Sequence, residues 1–244
     1  MPLQIFLTHL LNSLLAVPVA RLLAVIGHPS PEPSAPINGT FTIEFVAFLF
    51  LVCFFLAVRA TLSVERPGAI QQLAELVHEF VSGQAESIIG HGYERFVPYI
   101  TVILLFIVTN NLLGLIPDVD TPTANASVPL GLALLTFVYY HFHGLRENGP
   151  IGYLKQFLGP VWWIAPLMLP IEIISHFARV LSLTVRLFAN MLASDLLTLI
   201  FFSLFPFALP LVGLGLHLGV SLIQAYVFML LAAIYLGLAT SHEH

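Results

Sequence analysis

Glu172, His176, Arg179, Arg186 and Asp195 stand in the stretch IEIISHFARVLSLTVRLFANMLASDLL (171–197), which is otherwise apolar enough to lie within a membrane. A charge at the centre of a bilayer helix costs about 2.5–3.5 kcal/mol on insertion scales, so ionisable groups placed there usually mark an ion path. Glu172, Arg179 and Arg186 recur every seven residues, and at ~100° per residue they fall on nearly one helix face. Ser182, Ala189, Asn190 and Ala193 flank Arg186 at i−4, i+3, i+4 and i+7. Groups that small let a second helix approach closely. Arg186 also sits too deep in the run to snorkel easily to either interface.

A second polar set, His217, Ser221 and Gln224, lies in the last apolar run. Folding the two runs back at 205–206 pairs residues equidistant from the bend. Arg186 then faces Gln224, and Asp195 faces His217. This arrangement suits proton relay. An imidazole beside a carboxylate takes up and releases protons near neutrality, whereas a guanidinium stays charged. Asp195 and His217 lie ~10–14 Å from Arg186 along the helix axes, and Glu172 lies ~21 Å away on the other side. Two half-paths are thus separated by a fixed cation, which blocks direct passage yet attracts a carboxylate carried past it by another subunit.

The elements that must position these residues are membrane helices. Of the 244 residues, 58% are hydrophobic and 9% charged, against about 25% charged in a soluble domain. The expected fold is an all-α integral membrane protein. It has about five membrane-embedded helices, an interfacial amphipathic helix and a long tilted C-terminal helical hairpin. Four spans are expected at 41–58, 96–117, 128–143 and 166–203, and the fifth at 208–240. The last two would be ~57 and ~50 Å long, against a hydrocarbon core ~30 Å thick, so both must tilt, bend or project. Pro206 and Pro210 place the turn between them.

Residues 65–90 carry an apolar stripe of Ile70, Leu73, Val77, Phe80 and Val81 opposite Gln71, Gln72, Glu75, His78, Glu79 and Ser82. That period reads as a surface helix. The absence of a Lys/Arg face leaves docking on protein as open as docking on lipid. Residues 144–160 read as a loop with a short interfacial piece. Residues 1–40 form an N-terminal interfacial segment, interrupted by His9, Asn12, Pro18 and Arg21, followed by a Pro/Ser linker; residues 41–244 form a single membrane domain. The N-terminus lacks the positive region of a secretory signal and is expected to be retained.

Arg59, Arg66 and Arg95 lie in one connection, and Arg146 and Lys155 in another. By the positive-inside rule both, and the C-terminus, face the cytoplasm. No basic patch with interleaved aromatics is present, so nucleic acid is not an expected partner. The single cysteine, Cys53, excludes an intrachain disulfide framework.

SLTVRLFANMLASDLL and HLGVSLIQAYVFMLLAAIYL closely resemble subunit a of the F-type ATP synthases, as do NNLLGLIPDVDTPTAN and IEIISHFARVLSLTVRLFANM. The resemblance runs from about residue 41 to the C-terminus. It implies a non-catalytic, proton-translocating stator subunit of the Fo motor, without cofactor or metal, in the bacterial inner membrane. Its expected partners are the c-ring, the subunit b peripheral stalk, other Fo and F1 subunits, and membrane lipid. Arg186 would be the arginine facing the c-ring. Asn190, Asp195, His217 and Gln224 match polar positions on and around the half-channels, and Glu172 matches the cytoplasmic carboxylate. Asp195 stands where many relatives have Glu.

Two other readings compete. His141 and His143 form H-x-H, but no second close histidine motif supports a metal site. A stand-alone ion transporter would require matched discontinuous helices, and no matching halves are visible in the sequence.

Overall fold

The computed structural model describes residues 3–25, 34–63, 66–116, 118–158, 165–204 and 209–240. Among these residues the chain is all helix and turn: α1 (Leu3–Val25), α2 (Gly39–Ala60), α3 (Ala69–Ile89), α4 (Val97–Leu113), α5 (Ser127–Leu158), α6 (Ala165–Leu204) and α7 (Leu209–Thr240). Short 3-10 turns lie at Tyr93–Arg95 and Pro122–Ala124. Five helices, α1, α2, α5, α6 and α7, are long and apolar enough to cross a membrane. The protein is an integral membrane protein. α1 joins the spans expected from sequence, and α4, an apolar helix of 17 residues, is shorter than these five.

Local chemistry explains most boundaries. Asn38 caps α2, its Oδ1 accepting the Phe41 N–H at 2.8 Å. Pro98 occupies the first turn of α4, where its missing N–H costs nothing. The helix α1 runs on through Pro18, although an interior proline removes one backbone bond and crowds the carbonyl four residues earlier. The expected loop at 144–160 is largely helical instead. α5 continues past His143 and kinks only at Gly149, whose φ of 66° and ψ of 164° leave the helical region. Glycine reaches that conformation without a Cβ clash, and Pro150 then starts a second helical piece.

The core gathers Ile103 and Ile107 of α4, Tyr140 of α5, Leu187 and Met191 of α6, and Met229 and Leu236 of α7. α7 is the inner helix. In the most apolar window of each, 39% of α7 is buried against 17% of α6. One flank of α6 packs on α5 and α7, while Phe177, Leu181, Val185, Arg186 and Ala189 remain exposed.

The surface helix α3 packs on α7 and α4 through only part of its predicted stripe, Val77 and Val81. Val81, Ala85 and Gln71 are buried, whereas Ile70, Leu73 and Phe80 are exposed. Gln71, expected on the polar side, turns inward to close the preceding turn. Its Oε1 accepts the Ser63 N–H at 2.9 Å and its Nε2 donates to the Ser63 carbonyl at 3.1 Å.

Arg95 pairs with Glu147, and Asn148 Nδ2 donates to the Ala239 carbonyl at 3.0 Å. The connection before α4, the end of the α5 span and the C-terminal end of α7 therefore share one end of the bundle. Gln4, Asp120, Thr121 and Asp195 meet at the other.

Candidate functional site

The expected bend at 205–206 lies outside the described residues, but the two helices that flank it bring the counted pair Asp195 and His217 together. His217 Nδ1 lies 3.1 Å from Asp195 Oδ1. His217 is almost wholly buried, at 2% exposure. Its Nε2 lies 3.1 Å from the Asn111 backbone carbonyl. That oxygen is available because Asn111 is in the last turn of α4, where carbonyls lack intrahelical partners. The next two carbonyls, of Leu112 and Leu113, accept from Leu115 and Ile116 instead.

The hydrogen-bond directions constrain the protons. A carbonyl only accepts, so Nε2 must donate, and a neutral imidazole of that tautomer turns its Nδ1 lone pair toward Asp195. A 3.1 Å contact between that lone pair and a bare carboxylate would be repulsive. An imidazole that donates from Nε2 can share a further proton between its Nδ1 and Asp195 Oδ1, which suits the pair to proton exchange.

Two residues that the sequence reading did not single out complete this site. Thr121 Oγ1 donates to Asp195 Oδ1 at 3.0 Å. Asn111 anchors the carbonyl under His217, with Nδ2 donating to the Ser221 carbonyl at 3.3 Å and Oδ1 accepting from Thr123 at 2.5 Å. A Cβ on Gly114 would overlap Thr121 Oγ1, so only glycine leaves that hydroxyl in place. Asp195 and His217 open onto a cavity of about 800 Å³. Among the described residues, Ser194 Oγ, next to Asp195, and Ser221 Oγ, one turn from His217, are buried without a hydrogen bond.

Arg186 lies in the exposed face of α6, among exposed Ser182, Ala189 and Ala193. Among the described residues its one hydrogen bond is a long donation of 3.4 Å to Ser182 Oγ. Gln224 is half-buried and makes no hydrogen bond to Arg186, so the counted pairing holds for Asp195 and His217 only. Asn190 is half-buried one turn beyond the arginine.

The other end of α6 is assembled differently. Glu172 Oε1 lies 3.4 Å from His176 Nε2, one turn away on the same helix. His176 Nδ1 lies 2.8 Å from the Tyr140 hydroxyl of α5. Arg179 places its guanidinium 5.2 Å from the centre of the Tyr235 ring, a cation–π contact. His141 packs against Phe137 and His176, whereas His143 packs against Phe96 and Tyr139. The two histidines of H-x-H thus diverge.

The family model described as "ATP synthase A chain" matches residues 40–237. The chain belongs to that family. An ATP synthase subunit a from Koribacter versatilis is 55% identical over the full length of both chains. One from Solibacter usitatus is 42% identical over 91% of this chain and 95% of its own. One from Geotalea uraniireducens is 43% identical over 80% of this chain and 84% of its own. As an ATP synthase A chain, the protein carries Arg186, Asp195, His217 and Gln224 inside the matched region and its first helix outside it.

Proposed function

We propose that this chain is the non-catalytic, proton-conducting stator subunit of the membrane motor of an ATP synthase, working against a rotor of acid-bearing subunits and held by a peripheral stalk. A proton arrives from outside at Asp195 and His217 and passes to a rotor carboxylate that has just left Arg186. The rotor turns, and the carboxylate releases its proton on the Glu172 side after nearly a full revolution. Asn190 and Gln224 flank the arginine as polar steps toward the rotor face. The ends joined by Arg95, Glu147 and Ala239 face the cytoplasm in this reading, by the positive-inside rule. Moving one charge across 100 mV supplies ~2.3 kcal/mol, so several protons are needed for each ATP made elsewhere in the complex.

The observation that carries this reading is the placement of Arg186. It is a permanent charge on an exposed face of small residues, with, among the described residues, one long hydrogen bond to hold it, between two acid–histidine pairs that lie inward. A cation left this free in an apolar setting calls for an anion from another chain. Arg186→Ala is expected to abolish ATP-driven proton pumping in membrane vesicles while the complex still assembles. Normal coupled pumping by that variant would end the proposal.

A further inference from the structure

The first helix precedes the family match and carries no part of the relay described above. Its polar residues nevertheless follow a pattern. Gln4, Thr8, His9 and Asn12 fall within an arc of about 140° at ~100° per residue. Leu3, Phe6, Leu10 and Leu14 lie outside that arc and are exposed. The polar arc, with Ile5, is the face that lines the cavity containing Asp195 and His217.

Two clamps hold that face in place, each using both ends of an amide. Gln4 Oε1 accepts the Asp120 N–H at 2.8 Å and Nε2 donates to Asp120 Oδ2 at 3.2 Å. Asn12, itself buried, accepts the Ile37 N–H and donates to the Ile37 carbonyl, both at 3.0 Å. The clamps lie ~12 Å apart along α1. The first is one residue away from Thr121, whose hydroxyl bonds Asp195. Bracing of a lipid-facing helix alone would not require Thr8 and His9 to face the cavity as well.

We propose that α1 is the outer wall of the inlet to the Asp195–His217 pair, and that protons reach Asp195 along its Gln4–Thr8–His9 face. The proposal rests on the reading of that pair as the outer proton site. In this arrangement α1 confines the inlet on the lipid side and supplies its first polar groups.

The test uses the assembled complex in vesicles stripped of the catalytic sector, in a Cys53→Ala background. Thr8→Cys and Leu10→Cys are each treated with the water-soluble thiol reagent 2-aminoethyl methanethiosulfonate. Passive proton flux is read before and after treatment, so each preparation is its own control for folding. Thr8→Cys is expected to lose flux several-fold on modification, and Leu10→Cys to keep it. Asp195→Asn, untreated, is expected to lower flux and reports on the pair itself. If Asp195→Asn lowers flux but modified Thr8→Cys does not, or if Thr8→Cys and Leu10→Cys respond alike, α1 is not the inlet wall. If Asp195→Asn leaves flux intact, the reading of the pair falls, and the wall with it.

Discussion

Each end of α6 presents an acid and a histidine, but the two pairs are built in opposite ways. Asp195 and His217 meet across two helices and are braced from α4 and the following turn by Asn111 and Thr121. Glu172 and His176 meet on one helix at i,i+4, with a bond from His176 to Tyr140 of α5 and aromatic rings around it. The outer pair exists only if α4, α6, α7 and the turn before α5 all dock correctly. The inner pair needs little more than α6 to be helical. Geometry that depends on many elements is exacting but easily disturbed, whereas geometry set within one helix is sturdy and looser; the 3.1 and 3.4 Å separations follow that order.

The sharpest way to break this contrast is His217→Ala. In the proposed function the buried imidazole is a positioned proton-transfer group, and its removal is expected to cost on the order of 10²-fold in rate. ATP-driven pumping should collapse while the rotor still co-purifies. Retained pumping would show that the outer pair is dispensable.

Next in size is Gly114→Ala. The added methyl must displace Thr121, an overpacking cost of about 1–3 kcal/mol, whereas Thr121→Ala alone loses one hydrogen bond of ~1 kcal/mol. The double variant Gly114→Ala/Thr121→Ala should be less damaged than the sum of the two, because the overlap is gone. Thermal stability and proton flux of the four proteins form the cycle. Strict additivity would mean that Gly114 and Thr121 do not interact.

The smallest effect is expected at the inner end. Tyr140→Phe removes the hydroxyl on His176 but keeps the ring, so pumping should fall by no more than about fivefold, the equivalent of a ~1 kcal/mol hydrogen bond. A loss as large as that of His217→Ala would mean that the inner pair is braced as tightly as the outer one, and the contrast would vanish.

Much of this arrangement was legible in the sequence. The apolar runs at 166–203 and 208–240 predict α6 and α7 to within a residue or so, and counting back from the bend brings Asp195 to His217. The same count fails for Arg186 and Gln224. Equal distance from a turn predicts equal height along two antiparallel helices, but not the rotation of each about its axis, and α6 is turned so that Arg186 points away from the bundle. Thr121 and Asn111 were missed because they act over 74 and 106 residues of chain. The sequence signal for them was the pair of asparagines near the end of the 96–117 apolar run and the TPTAN that follows in the next loop. Gln71 and the continuation of α5 to Gly149 were misread for a related reason: tertiary packing supplied an amide partner in one case and a neighbouring helix end in the other.

The sequence by itself determined the membrane character, the lengths of the long helices and the order of charges along α6, because each follows from hydropathy and a rise of ~1.5 Å per residue, both local properties. Only the tertiary structure decided which of those charges is paired and which is left exposed. Rotation about a helix axis is set by the packing of neighbours on all sides, and no single segment contains that information.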